Sequence, residues 1–227
     1  MGEAILSDLT KIDLHTHTIA GSDCSVLTPE QLIERAAEIG LDGVCITEHD
    51  NIRPSPELEA LARERGVMLF YGVEVNTDLG EALAFGPKEY AQGFHEISCL
   101  RRAVDEAGGA IVAAHPFRPE FSPFYSGVGS RRPTLEEACD RPIMRVVDAL
   151  EAINGASTVE ESEFGHSVAE KLGLGAAAGS DAHSVDAVGM CVTVFERKIT
   201  CWSEFLEELR AGRYHPEDLR ASLPPMA

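Results

Sequence analysis

The chain has 227 residues, 44% of them hydrophobic and 25% charged, ordinary values for a soluble globular protein with a full core. Its formal net charge of −19 disfavours an extended polyanionic partner such as long DNA or RNA, because phosphate contacts drive that affinity. No stretch approaches the roughly 20 apolar residues of a membrane span.

The first residues resemble neither a signal peptide nor a myristoylation site, with Leu6 where Ser or Thr is required, so a cytoplasmic protein with no membrane partner is expected. The cysteines, six in all, are scattered singly, which reads as reduced buried thiols. The length fits one domain over 1–227, with a C-terminal strand–helix extension at about 184–215.

Strand-like and helix-like segments alternate along the chain. A strand at about Lys11 to Leu14 leads into a small-residue loop, and Thr28-Pro29-Glu30-Gln31 predicts a capped helix that Gly40 closes. Gly43 to Thr47 is short and continuously apolar, as in a strand buried on both faces. Ser55-Pro56 opens a second helix, Val67 to Val75 reads as a strand, and Glu81 to Phe85 as another. A helix is expected from about Gly93 to Ala107 and a buried strand at Ala110 to Ala114. Pro116 to Pro142 reads as a long loop over the strand ends, carrying at most short helices. Then come a strand at Ala149 to Ile153, a helix at Val159 to Leu172, and strands at Gly175 to Ala178 and Met190 to Phe195. A last helix spans Trp202 to Ala211, and Ser222 to Ala227 reads as a frayed tail. This alternation is that of an α/β fold, and parallel strands closing into a barrel would gather their ends at one place.

Five apolar runs end in metal-binding residue types: Ile12 to His17, Val44 to Asp50, Tyr71 to Glu74, Ile111 to Pro116 and Ala178 to His183. His15 and His17, two apart on a strand, point to one face and can grip one ion together. Asp181 and His183 repeat that spacing, His49 and His115 end their own strands, and Glu74 is a carboxylate able to bridge two ions. With Asp23 in the loop at the same end there are eight candidate ligands, too many for one tetrahedral ion and about right for two or three. A single His-x-His is weak evidence, but a core has no reason to collect charge at five strand ends. Imidazole with carboxylate suits Mn, Fe or Zn. Glu48 and Asp50 flank His49, one of them placed to orient ligands. Asn154, closing its strand, is a candidate for a metal shell or the substrate against simple turn chemistry.

As an ordered set these motifs make the chain resemble the PHP (polymerase and histidinol phosphatase) family, in its stand-alone phosphoesterase form, over essentially its whole length. The resemblance implies a distorted (β/α)7 barrel with up to three metals at the C-terminal strand ends. It implies His15, His17, Glu74 and Asp181 on a first ion and His115 on a second that Glu74 bridges. Asp23, His49 and His183 would hold a third. The sequence departs from the pattern at Glu48, where Asp is commoner, and at Asn154, where some relatives supply His or Cys. At Asp23 some relatives have His, and the retained oxygen favours Mn or Fe over Zn.

The expected activity is metal-dependent hydrolysis of small phosphoesters, such as nucleotides, nucleoside bisphosphates or sugar phosphates, by a metal-activated hydroxide. Arg118, just after His115-Pro116-Phe117, is placed to hold the phosphate with its planar fork. His183 or Asp50 would protonate the leaving oxygen. The alternatives are a 5′–3′ exonuclease on short oligonucleotides, which the acidic balance disfavours, and a non-catalytic, metal-stabilised interaction module. Amidohydrolase chemistry also uses His-x-His on a barrel but wants a bridging lysine that no strand end offers.

Overall fold

The computed structural model describes residues 9–121 and 131–223. The sequence expectations for the N-terminal residues before Leu9, for part of the long loop (122–130) and for most of the tail (224–227) lie outside the described residues.

Nine strands form one sheet in the order β7-β6-β5-β4-β3-β2-β1-β8-β9. β1 (Thr10–Thr16), β2 (Gly43–Ile46) and β3 (Met68–Thr77) run parallel. β4 (Gly80–Phe85) returns as a hairpin and pairs antiparallel with both β3 and β5 (Ala110–Ala113). β6 (Ala149–Asn154) and β7 (Gly175–Gly179) then follow parallel to β5. One reversed strand therefore leaves β1 to β3 and β5 to β7 pointing the same way, and their C-terminal ends converge. β8 (Cys191–Phe195) and β9 (Tyr214–Asp218) complete the sheet antiparallel. The result is a nearly closed, distorted α/β barrel.

β7 pairs with β6 by a ladder, but side chains stitch it to β8 and β1 across the barrel closure. Thr193 Oγ1 accepts from the Ala178 N–H at 2.9 Å and donates to the Ala178 carbonyl at 2.8 Å. The buried Asp13 carboxylate accepts from the backbone of Ser180 (2.9 Å), Gly189 (3.0 Å) and His15 (3.2 Å). Burial pushes the Asp13 carboxyl up to about 6 against the opposing pull of these bonds.

Helices cover the outside. α1 (Pro29–Glu38) starts with the capping box Thr28/Gln31 and buries Leu32, Ile33 and Ala36. α2 (Pro56–Arg65) begins at the Ser55 cap and ends at left-handed Gly66, φ +75°. The helix expected from Gly93 to Ala107 is divided: a 3₁₀ turn at Gln92–His95 precedes α3 (Ile97–Glu106). The Asp78 carboxylate, reaching across from the β3–β4 turn, accepts the Ile97 N–H at 2.9 Å and sets the start of α3 there. The long loop carries α4 (Arg118–Phe121), α5 (Leu135–Cys139) and a 3₁₀ turn, short helices as expected. α6 (Val159–Leu172) and α7 (Trp202–Ala211) fall where the sequence puts them. β9 was not legible, because Tyr-His-Pro-Glu-Asp lacks an apolar pattern and Pro216 is tolerated only on a sheet edge.

The interior packs Ile12, Leu14, Phe85, Phe195 and Phe205, each at most 1% exposed. Each such side chain contributes about 1.5–3 kcal/mol on burial. No helix among the described residues is long and apolar enough to cross a membrane.

Candidate metal centre

The parallel strands deliver their ends to one place through backbone bonds that continue the sheet beyond the regular ladders. His17 N–H donates to the Ala182 carbonyl at 2.9 Å, and Glu74 N–H to the Glu48 carbonyl at 3.1 Å. Residues Asp50, His115 and Asp181 hold left-handed φ of +49°, +30° and +53°. Non-glycine residues pay strain for that conformation, and such strain concentrates where side chains must be aimed.

Three groups of donors result: His15, Glu74 and His115; His15, His17 and Asp181; and His17, His49 and His183. Glu74 stands between them with both oxygens engaged. Its Oε2 lies 3.3 Å from His15 Nε2, 3.2 Å from His17 Nε2 and 3.1 Å from His49 Nδ1. Its Oε1 lies 3.1 Å from His115 Nε2. Asp181 Oδ1 is 3.5 Å from His15 Nε2 and 3.3 Å from His17 Nε2. Burial works against the charge on Glu74 and Asp181, but the surrounding imidazoles hold both carboxyls far below the usual range. Burial likewise opposes a charge on His15, while Glu74, Asp181 and Glu151 raise it well above the ordinary value. The pocket demands positive charge.

The far nitrogens of the rings say what form that charge takes. His15 Nδ1 meets the buried Glu151 carboxylate at 3.1 Å and so carries the proton. His17 Nδ1 donates to Ser22 Oγ at 3.2 Å, since that hydroxyl itself donates to Glu48. With Nδ1 donating in both rings, a metal ion that displaces the remaining proton would meet the Nε2 lone pairs, and these two atoms face each other at 3.0 Å. Two opposed lone pairs beside two carboxylates repel unless a cation is shared among them, so the donor set fits a divalent ion.

Seven of the eight predicted ligands are thus brought together, and the eighth, Asp23, is exposed and belongs to none of the three groups. His17 takes the place beside His49 and His183 that the resemblance implied for Asp23. Arg118 is placed deep, 12% exposed in its side chain, with one terminal nitrogen donating to Asp181 Oδ2 at 2.7 Å and to Asn154 Oδ1 at 2.5 Å. Asn154 Oδ1 also accepts from the Ala156 N–H, and its amide donates to Glu151 at 3.0 Å. Its polar atoms are committed to this network. Asp50 is exposed, lies beside Tyr90 and does not line the cavity over the cluster. His183 does line it; its Nδ1 donates to the Asp181 carbonyl at 2.8 Å, and burial with neighbouring His17 lowers its pKa, so it presents an acceptor nitrogen.

The residue that sequence reasoning missed is Glu151. It binds His15 through Oε1 and the His115 N–H, at 2.9 Å, through Oε2. The signal was a carboxylate in the middle of an apolar strand, where charge needs a reason. Gly179 makes the approach feasible: a Cβ there would meet His15 Cβ at 2.4 Å and Glu151 Oε1 at 2.8 Å.

The PHP-domain family profile matches residues 13–115, and a PHP-associated profile matches 163–214. A protein of Methanocaldococcus jannaschii is 30% identical over 119 residues, which cover 48% of this chain and 69% of that protein. The chain belongs to the PHP family. Other PHP relatives are matched over short stretches. A 5′-3′ exoribonuclease of Haemophilus influenzae is 38% identical over 68 residues, 30% of this chain and 24% of that enzyme. A PolC-type DNA polymerase III of Oceanobacillus iheyensis is 35% identical over 79 residues, 34% of this chain but only 6% of the polymerase. Among solved structures, a two-domain protein of Bacteroides vulgatus, described as containing a predicted PHP-like metal-dependent phosphoesterase, superposes with a TM-score of 0.66. It is 18% identical, with 92% of this chain and 65% of that one covered. PsfC of Pseudomonas syringae gives 0.64 at 18% identity, over 93% and 92%. These two likenesses are of fold.

Proposed function

We propose that the protein is a metal-dependent hydrolase of small phosphoesters, holding two or three divalent ions (Mn, Fe or Zn). The observation that carries this reading is the pair of Nε2 atoms of His15 and His17, 3.0 Å apart among the Glu74 and Asp181 carboxylates. His15, His17, Glu74, His115 and Asp181 would hold two ions, and His49 and His183, with His17, a third. When bound, such ions supply Lewis-acid charge and lower the pKa of nearby water.

The chain's own groups do the rest. Glu151 and Ser22 fix the tautomers of His15 and His17, so those rings arrive oriented. Arg118 braces Asp181 and, lining the cavity, would offer its other terminal nitrogen to a phosphoryl oxygen. The cavity over the cluster, about 530 Å³, suits a substrate of nucleotide or sugar-phosphate size.

The similarity to an exoribonuclease supports hydrolysis of short oligonucleotides as a second reading. It ranks lower because the chain carries −19 and a carboxylate, Glu81, stands at the cavity wall. Elemental analysis of the purified protein, with a panel of phosphomonoesters and short oligonucleotides assayed in Mn²⁺ and after chelation, tests both. Bound metal with chelator-sensitive phosphomonoester turnover is expected. A metal-free protein, or one without turnover on any member, would overturn the proposal, and preference for oligonucleotides would promote the second reading.

A further inference from the structure

The β3–β4 hairpin carries chemistry that the metal-centred reading leaves unused. Glu74 sits opposite Leu83 in this hairpin, and Asn76 sits opposite Glu81. Side chains two apart on a strand share a face, so Asn76 lies on the face of Glu74, roughly 7 Å further along the strand. Both Asn76 and Glu81 line the cavity, and both are exposed to it and to solvent.

These positions are held, not loose. Thr77 Oγ1 donates to the Gly80 carbonyl at 2.5 Å and accepts the Leu79 N–H at 3.2 Å, locking the turn. The Asp78 N–H donates to the His95 carbonyl at 2.8 Å, and His95 Nδ1 returns to the Asn76 carbonyl at 3.0 Å. The Asp78 carboxylate caps α3. The hairpin tip is therefore tied to the following helix, and the Asn76–Glu81 pair is presented at a fixed distance from the cluster.

Glu81 Oε2 lies 3.6 Å from His115 Nδ1, and among the described residues no lysine or arginine pairs with it. A carboxylate with acceptor capacity to spare now stands beside a carboxamide that both donates and accepts. That combination matches hydroxyl groups: one hydroxyl donates to Glu81 and its neighbour accepts from Asn76. It opposes a second anion at this position. A cationic group is disfavoured too, because Arg118 and Arg141 line the same cavity and a cation leaves the Asn76 donors unused. Leu79 and Ile143, also in the wall, supply apolar surface of the kind that carbohydrate C–H faces cover.

The geometry points to Asn76 and Glu81 as a specificity subsite for the hydroxyl groups of the leaving group, making the substrate a phosphorylated sugar or ribosyl compound. This inference rests on the proposed phosphoesterase function, and its test separates the two.

The Mn²⁺-loaded protein is assayed on ribose 5-phosphate, 2-deoxyribose 5-phosphate, n-pentyl phosphate and aminoethyl phosphate. Binding of each is measured in parallel by calorimetry. A hydrogen bond to a charged acceptor predicts roughly tenfold or greater preference for ribose 5-phosphate over pentyl phosphate, with the deoxy sugar between. Asn76→Ala and Glu81→Gln should each bring that ratio toward one. Equal treatment of the sugar and alkyl esters, an unaltered ratio in both variants, or a preference for the aminoethyl ester would overturn the subsite. Should no ester be turned over, the phosphoesterase reading fails, and the calorimetric ratios, in wild type and variants, still decide the subsite.

Discussion

His15 is fully buried and sets its Nδ1 against the Glu151 carboxylate, whereas His183 is 34% exposed in its side chain and rests its Nδ1 on a backbone carbonyl. His49 is 44% exposed, and its Nδ1 faces Glu74 itself. The deep half of the cluster is thus backed by a buried acid that belongs to no ligand group, and the outer half is not. A carboxylate behind a ligating imidazole fixes its tautomer and raises its basicity, so affinity for an ion is built in before the ion arrives. The outer half gains order mainly from sharing His17 and Glu74 with the deep one. Two proposed ions should accordingly be tight and one loose.

The largest effect should come from His15→Ala, which removes a donor common to two of the three groups. Metal content should fall by at least one equivalent and phosphoester turnover by more than the roughly 100-fold that outer-shell changes cost. Circular dichroism should show the fold retained. Wild-type turnover with the deep ions still bound would sink the assignment.

Glu151→Gln should weaken deep-site metal affinity by roughly 10- to 100-fold without removing any ligand, measured by competition with a chelator. A variant indistinguishable from wild type would erase the difference between the halves. His49→Ala, which removes a donor from the outer group alone, should lose one equivalent of metal and about a decade of activity while the deep ions remain. If all the metal leaves together, the cluster is one cooperative unit and the contrast is wrong.

Much of this was legible in the sequence because a barrel converts a one-dimensional rule into a three-dimensional one. Each apolar run ended in His, Asp or Glu, and parallel strands have no choice but to bring such ends together. His15, His17, His49, Glu74, His115, Asp181 and His183 follow from that rule alone. Asp23 did not, because it lies in a loop whose course no periodicity predicts, and the loop turns it to solvent. Asn154 closes its strand as expected, yet its role depends on Arg118 and Glu151, partners 36 and 3 residues away. Glu151 and Asp13 were hidden differently. Each interrupts an apolar strand, but what such a charge touches is decided by the neighbouring strand, and sheet order is a tertiary fact. Even Gly179, permissive by composition, matters because His15 and Glu151 meet over it.

The smallest expected effect tests the same contrast from within the deep half. His17 is backed by Ser22, a neutral hydroxyl that hands its own proton to Glu48, where His15 is backed by a carboxylate directly. A neutral hydrogen bond is worth about 1 kcal/mol net. Ser22→Ala should therefore cost roughly fivefold in metal affinity, less than Glu151→Gln in the same chelator competition. The Thr18 bonds to Glu48 remain in that variant and keep the acid in place, so the loss isolates the hydroxyl. A Ser22→Ala loss as large as that of Glu151→Gln would mean the hydroxyl transmits the charge of Glu48 almost undiminished. Charge behind the ring, more than direct contact with it, would then be what sets the affinity of the deep half.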